Sequence, residues 1–179
     1  MEVSMKRIIP VLLVLMLVPA NVFALDYYAG GNVYFASLIQ PADIRTLDTA
    51  GLNLADFAFG GEARIVWGLI WASAVGTYTP GDVNLPHRLD LLLDSGVGIT
   101  LGIMRAGIGI GPNYGIEIGN NVGDYFKTGA NMRLTGDVLL GPFSLGLSWI
   151  SKVEFTRSSF VEAFGNPFGQ LGMALLYQF

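Results

Sequence analysis

The chain has 179 residues, with 10 Lys or Arg and 14 Asp or Glu, so its formal net charge is −4. An acidic chain without basic clusters argues against nucleic acid as a partner. The sequence contains no cysteine, which excludes disulfides, thiolate metal sites and lipid attachment through a cysteine.

The beginning of the chain has the three parts of a secretory signal peptide. Two basic residues precede the apolar stretch 8–18, and residues 22–24 are typical of a cleavage site. An uncleaved anchor helix is the alternative, but the apolar stretch is shorter than the ~20 residues that a membrane span needs. The sequence therefore predicts a cleaved signal peptide over 1–24 and one domain over 25–179.

Eight segments of this domain alternate apolar and polar residues with the two-residue period of a β-strand. We place these strands at 26–38, 56–67, 70–80, 88–101, 104–117, 129–140, 143–155 and 169–179. Each has at least about the 9–11 residues that cross a bilayer at a tilt. The pattern predicts an all-β fold, an eight-stranded antiparallel up-and-down transmembrane β-barrel.

The predicted connections alternate between short and long. Tight turns of the Gly and Pro type are predicted at 68–69, 102–103 and 141–142. The longer connections are predicted at 40–55, 80–87, 118–128, which includes Lys127, and 156–168. Such an alternation is typical of a barrel with periplasmic turns and extracellular loops, and an even number of strands predicts that both termini are periplasmic.

Charged side chains of the strands fall on the face opposite the apolar one. A charge that faces lipid at mid-bilayer costs about 2–4 kcal/mol, so these residues should face the lumen. The predicted lumen network consists of Glu62, Arg64, Arg88, Asp90, Asp94, Arg105, Glu117, Arg133, Asp137, Lys152 and Glu154. A soluble barrel with the opposite arrangement stays open as an alternative, because periodicity alone does not say which face is outside.

The lumen of an eight-stranded barrel is just wide enough for side chains to fill it. We therefore expect paired charges that plug the barrel. The functional alternative is a gate centred on Arg105, Arg133 and Asp137, in which exchange of partners opens a narrow path for small solutes. Inward glycines at 96, 98, 107, 109, 111 and 115 would make room for bulky lumen groups, with Tyr28 and Tyr34 as candidates, or line a channel.

Aromatic residues lie at the ends of the strands rather than at their centres. Such positions predict two girdles at the membrane interfaces. The girdle at the short turns would contain Tyr27, Trp67, Trp71, Phe143, Tyr177 and Phe179. The girdle at the long loops would contain Phe35, Phe57, Phe59, Tyr78, Tyr114 and Phe155.

With its first strand starting Asp26-Tyr-Tyr-Ala-Gly-Gly and its last ending Leu175-Leu-Tyr-Gln-Phe179, the chain resembles the small outer-membrane barrels of the OmpX, OmpW and OmpA-barrel group. The resemblance implies location in the cell outer membrane, with outer-membrane lipids and the barrel-assembly machinery as partners. It also implies that Tyr177 and Phe179 form the assembly signal. We expect a monomer that has a structural or surface role, or that passes small solutes through a narrow gate.

The resemblance leaves three other functions open. An OmpW-like channel would carry small hydrophobic molecules and release them through a lateral opening at Pro112. A surface adhesin would bind host surface molecules. A lipid-modifying enzyme would need His87, the single histidine, beside a serine such as Ser158 or Ser159 and an orienting acid. The spacing does not fit such a triad, so we expect no enzyme activity, no metal and no cofactor.

Overall fold

The computed structural model describes residues 25–35, 56–81, 86–119, 126–154 and 169–179. These residues form eight β-strands, which confirms the predicted fold class. The strands are β1 (Leu25–Phe35), β2 (Phe57–Trp67), β3 (Ile70–Thr79), β4 (His87–Leu101), β5 (Met104–Ile118), β6 (Phe126–Leu140), β7 (Phe143–Glu154) and β8 (Gln170–Gln178). The predicted signal peptide lies outside the described residues.

The strands form one closed antiparallel barrel, in which each pairs with the next and β8 pairs with β1. The register is staggered. Moving from Leu25 of β1 to its partner on the next strand, and so on around the barrel, one reaches Leu171 of β8. Leu171 is next to Gly172, which pairs with Tyr34 at the other end of β1. One turn around the barrel therefore shifts the register by nearly the length of β1. Such a stagger tilts the strands by roughly 35–45° to the barrel axis and leaves no free sheet edge.

Three hairpins have two-residue turns, as predicted. Each turn begins with a glycine of positive φ, at Gly68, Gly102 and Gly141. Glycine at the first turn position gives the type II′ geometry, whose twist matches that of the flanking strands. The short turns therefore all lie at one end of the barrel, which we call the short-turn end. We call the opposite end the long-loop end.

The two faces of the strands differ as predicted for strands two and four to seven. Along β4, Leu89, Leu91 and Leu93 are exposed on the outside, whereas Asp90 and Asp94 are buried inside. The same alternation runs along β5 and β6. Among the residues that the structure describes, no helix is long and apolar enough to cross a membrane.

The start of β6 differs from the predicted one by three residues. Strand β6 begins at Phe126 rather than at position 129, and it pairs with β5 as far as Ile116. Lys127 therefore lies within the strand, not in a loop. Its side chain donates to Glu117 across the pair, with 2.7 Å between Nζ and Oε1. Polar residues at the end of this strand hide the period of two, so the prediction placed its start too late.

Candidate functional site: the charged lumen

The lumen is divided into levels, which follow from the order of inward residues along a single strand. On β4, Arg88 and Asp90 come first from the long-loop end, then Leu92, then Asp94. On β2, Ala58 is followed by Glu62, Arg64 and Val66 toward the short turn. Two charged levels therefore alternate with two apolar ones along the axis.

We name the four levels by their members. The rim ion cluster, at the long-loop end, consists of Arg88, Asp90, Glu117, Lys127 and Lys152. The upper apolar layer consists of Tyr34, Ala58, Val75, Leu92 and Ile150. The inner ion cluster consists of Glu62, Arg64, Asp94, Arg105, Arg133 and Asp137. The lower apolar layer, toward the short turns, consists of Tyr28, Val66, Trp71, Ala174 and Leu176.

Arg133 is the most buried charge of the inner ion cluster, with no exposed surface. Its guanidinium donates to Glu62 Oε2 at 2.6 Å and to Ser73 Oγ at 3.1 Å, and it lies 3.5 Å from Asp94 Oδ2. Arg133 thus joins carboxylates from β2 and β4, although it stands on β6. Such bonds between distant strands tie the wall of the barrel together through its interior.

Arg64 and Arg105 complete the inner ion cluster. Arg64 donates to Glu62 Oε1 at 2.8 Å and to Asp137 Oδ2 at 2.5 Å, and Arg105 donates to the same Asp137 oxygen at 3.0 Å. Glu62 and Asp137 therefore each contact two arginines. Three cations meet three anions in a buried site, which is the balance that buried charges require.

Trp71 lies inside the barrel, so its prediction as a member of the lipid-facing girdle was wrong. Its side chain is buried, and Nε1 donates to the carbonyl of Val97 at 3.2 Å. Arg64 and Arg133 lie 5.7 and 5.9 Å from its ring centroid, within the range of cation–π attraction. Trp71 therefore separates the inner ion cluster from the short-turn end.

The inward glycines of β4 and β5 make room for this indole. A Cβ added at Gly109 would lie 2.6 Å from Trp71 Cζ2, and one at Gly107 would lie 2.8 Å from Nε1. The occupants predicted for this trough were Tyr28 and Tyr34. Tyr34 instead lies against Gly172 on β8, and the Tyr28 ring lies under Arg105 with 4.7 Å between guanidinium and centroid.

The upper apolar layer closes the lumen between the two ion clusters. Tyr34, Val75, Leu92 and Ile150 are at most 2% exposed. The hydroxyl of Tyr34 accepts a hydrogen bond from Ser148 at 3.2 Å. Four strands contribute these side chains, and the buried Asn113 of β5 pairs with Leu92 at the same level, so a mostly apolar layer lies between the inner ion cluster and the rim.

The rim ion cluster is partly exposed and contains lysines. Arg88 donates to Asp90 at 2.9 Å, Lys152 donates to the second oxygen of Asp90 at 3.1 Å, and Glu117 accepts from Lys127. The side chains of Arg88 and Lys127 are 28% and 30% exposed, whereas those of the inner ion cluster are at most 7% exposed. Solvent therefore reaches Arg88 and Lys127, whereas the side chains of the rim pair Lys152 and Asp90 are only 10% and 4% exposed.

The remaining predicted residues lie outside these contacts. The side chain of Glu154 is not among the described ones, and neither are Ser158 and Ser159. His87 lies at the long-loop end, where Nδ1 is 2.7 Å from the Tyr78 hydroxyl and accepts from the Gly81 amide at 3.0 Å. These contacts stabilise the rim, and the described residues do not test a catalytic triad.

Pro112 faces outward on β5 and pairs with Ala130 of β6. The pairs between β4 and β5 run to Leu92 with Asn113 and resume at Ser95 with Ile110. Since proline has no amide hydrogen, it explains an interruption of the ladder. The wall is continuous there nonetheless, because Gly111 brings the two backbones into close approach at Leu93.

Small internal spaces remain in the lower half of the lumen. One cavity of about 10 Å³ lies between Arg64, Trp71, Arg105 and Asp137, enough for roughly one water molecule. Within the described parts of the chain, buried polar atoms without a hydrogen-bond partner include both amide atoms of Asn32 and atoms of Asp94, Arg105, Asn113, Asn131, Arg133 and Ser144. Buried water commonly satisfies such atoms.

Comparisons with known proteins identify a solved structure with the same fold but match the chain to no family. No protein-family model matches the chain, and no curated protein matches it. The structure is similar to the crystal structure of the N-terminal β-barrel domain of Pseudomonas aeruginosa OprF, with a TM-score of 0.60 and 12% sequence identity. The match covers 88% of this chain and 98% of that one. The fold is therefore that of a small eight-stranded outer-membrane barrel, as the sequence resemblance predicted.

Proposed function

We propose that the chain is an outer-membrane barrel whose lumen is closed by its own side chains, and that it has a structural or surface-contact role. The observation that carries this proposal is the sequence of levels in the lumen. A buried, balanced ion cluster lies between two apolar layers, so ions and solutes that enter from the rim meet Leu92, Val75 and Ile150. An eight-stranded barrel filled in this way leaves no room for free diffusion.

Planar-bilayer recordings and liposome swelling test this closed state. We expect no steady conductance and no swelling from the purified wild-type protein in phospholipid. Exchange of the long connections for those of another barrel should abolish contact with a surface partner without changing the closed lumen. Steady conductance of the wild type would contradict the structural role.

We propose gated passage of small solutes as the second candidate function. It is supported by the shared carboxylates, because Glu62 and Asp137 each contact two arginines. A carboxylate with two partners can keep one bond while it exchanges the other. Recordings on Arg133→Ala and Asp137→Ala should show longer or more frequent openings than those of the wild type, with Lys127→Ala at the rim as control. Unchanged conductance would exclude the gate.

We also propose that the membrane is the bacterial outer membrane, with both barrel termini in the periplasm. In support, the outward side chains are apolar, and rings of Phe143, Tyr177 and Phe179 contact one another at the short-turn end, with centroids 5.4 and 5.3 Å apart. Phe179 also donates its amide to the Tyr27 carbonyl at 3.0 Å, where β8 meets β1. Deletion of Phe179 should lower the level of assembled protein in outer membranes; normal levels would show that Tyr177 and Phe179 are ordinary strand residues.

A further inference from the structure

The short-turn end of the barrel has apolar residues even at the tips of its turns. Leu69, Ile103 and Pro142 occupy the second positions of the three turns, and all are exposed. Turns that project into water usually hold polar residues such as Asn, Asp or Ser. These three turns therefore need an explanation beyond chain reversal.

The residues that flank the turns extend the same apolar surface. The pairs that close the hairpins are Trp67 with Ile70, Leu101 with Met104, and Leu140 with Phe143. All six side chains are between 47% and 64% exposed. No polar residue separates them from the apolar outer face of the strands, so the surface continues from the wall of the barrel over its end.

No charged side chain that the structure describes is exposed at this end. In the described part of the chain, the charged side chains nearest the short turns are Arg105 and Asp137, which belong to the buried inner ion cluster, and the half-buried Asp26. Asp26 accepts a hydrogen bond from Gln178 at 2.9 Å. The long-loop end differs, because Arg88 and Lys127 are partly exposed there.

We propose that the short-turn end is seated in the lipid bilayer, with Leu69, Ile103 and Pro142 at the boundary between headgroups and acyl chains rather than in water. This inference rests on the proposed membrane location. Exposed apolar patches mark contact with a membrane or with a protein. Here lipid fits better, because the apolar residues surround the barrel at three hairpins and at the meeting point of β1 and β8. A protein partner would cover one side, whereas lipid surrounds the barrel evenly.

The absence of cysteine from the sequence allows a direct test with single-cysteine variants. Leu69→Cys and Ile103→Cys report on the turns. Gly119→Cys, exposed at the long-loop end, and Leu147→Cys, exposed on the outer wall, are the matched controls. Each variant carries a nitrobenzoxadiazole probe and is placed in phosphatidylcholine nanodiscs, where both faces meet water. Heat-modifiable migration on a gel confirms that each variant is folded.

The probe is quenched either by lipids with a doxyl group near the headgroup or by iodide in the water. At a depth of about 5–10 Å in the boundary region, the turn probes should show at least about twofold stronger doxyl quenching than the Gly119 probe. Iodide in the water should quench the turn probes only weakly. As a measurement without the fluorophore, the same cysteines should react about tenfold more slowly with a water-soluble maleimide than Gly119→Cys.

The controls distinguish the two ways in which the idea can fail. If iodide quenches the turn probes as strongly as the Gly119 probe while lipid quenches the Leu147 probe, the barrel is in the membrane but its turns are in water. The apolar turns would then fit a soluble protein partner, and the inference would be wrong. If lipid does not quench the Leu147 probe in the folded protein, the proposed membrane location fails as well.

Discussion

The inner and rim ion clusters have similar chemistry but different surroundings. The inner cluster has arginine as its cation throughout and lies between two apolar layers, whereas the rim cluster contains two lysines and reaches solvent. Arginine is planar, always charged and able to bind two acceptors at once, so it suits a site where one cation pairs with several carboxylates. Lysine suits a site where water completes its hydration.

This difference separates the two contributions that charge makes to the barrel. In the inner cluster, Arg133 connects β6 to carboxylates on β2 and β4, so the loss of one member leaves others buried and unpaired. At the rim, Lys127 and Glu117 stand on neighbouring strands that are already paired through their backbones. The inner cluster is therefore expected to stabilise the barrel, and the rim cluster to shape its surface.

The largest expected effect is that of Arg133→Ala compared with Lys127→Ala. Loss of one partner from a buried ion pair costs about 3–5 kcal/mol. The Lys127 pair, whose side chains are 30% and 15% exposed, should cost less, closer to the roughly 0–1 kcal/mol of exposed pairs. Reversible urea unfolding of both variants in lipid vesicles, followed by tryptophan fluorescence and heat-modifiable migration, measures the free energy of unfolding. Equal effects of the two variants would show that solvent does not distinguish the clusters.

A smaller effect is expected where Trp71 covers the inner cluster. Gly109→Ala places a methyl group against the indole, and overpacking of this kind costs about 1–3 kcal/mol. In a Trp71→Ala background the same change should cost much less, because the indole is gone. Gly136→Ala is the matched control, since a Cβ there would meet nothing within 4 Å. Additive effects of Gly109→Ala and Trp71→Ala in the unfolding assay would show that the trough does not depend on Trp71.

The smallest effect is the one that we expect salt to have on the coupling energy of the ion pairs. The coupling energy between Lys127 and Glu117, measured by a double-mutant cycle to Ala, should be about 0.2–1 kcal/mol at low ionic strength. It should fall toward zero near 1 M salt, where the Debye length is about 3 Å. The coupling between Arg133 and Glu62 should change little, since their side chains have no exposed surface. Equal salt dependence of both pairs would indicate that water enters the inner cluster.

The sequence predicted the lumen residues of those strands whose two faces differ strongly in hydropathy. Arg105, Arg133 and Asp137 lie on strands whose outward residues are large and apolar, so the period of two was clear. On β3 the contrast is reversed, because small Ala72 and Ala74 face outward while Trp71 and Val75 face inward. Hydropathy alone could not assign that strand, and the role of Trp71 was missed for this reason.

By itself the sequence determined the number of strands, their approximate bounds, the short turns and the side of most charges. These features are local, because they depend on the two-residue period of a strand and on glycine in a turn. Only the tertiary structure determined which inward side chains contact one another. The partners of Arg133, the position of Trp71 over Gly107 and Gly109, and the order of the four levels depend on the stagger between strands. Closure of the barrel fixes that stagger, and no single strand carries it.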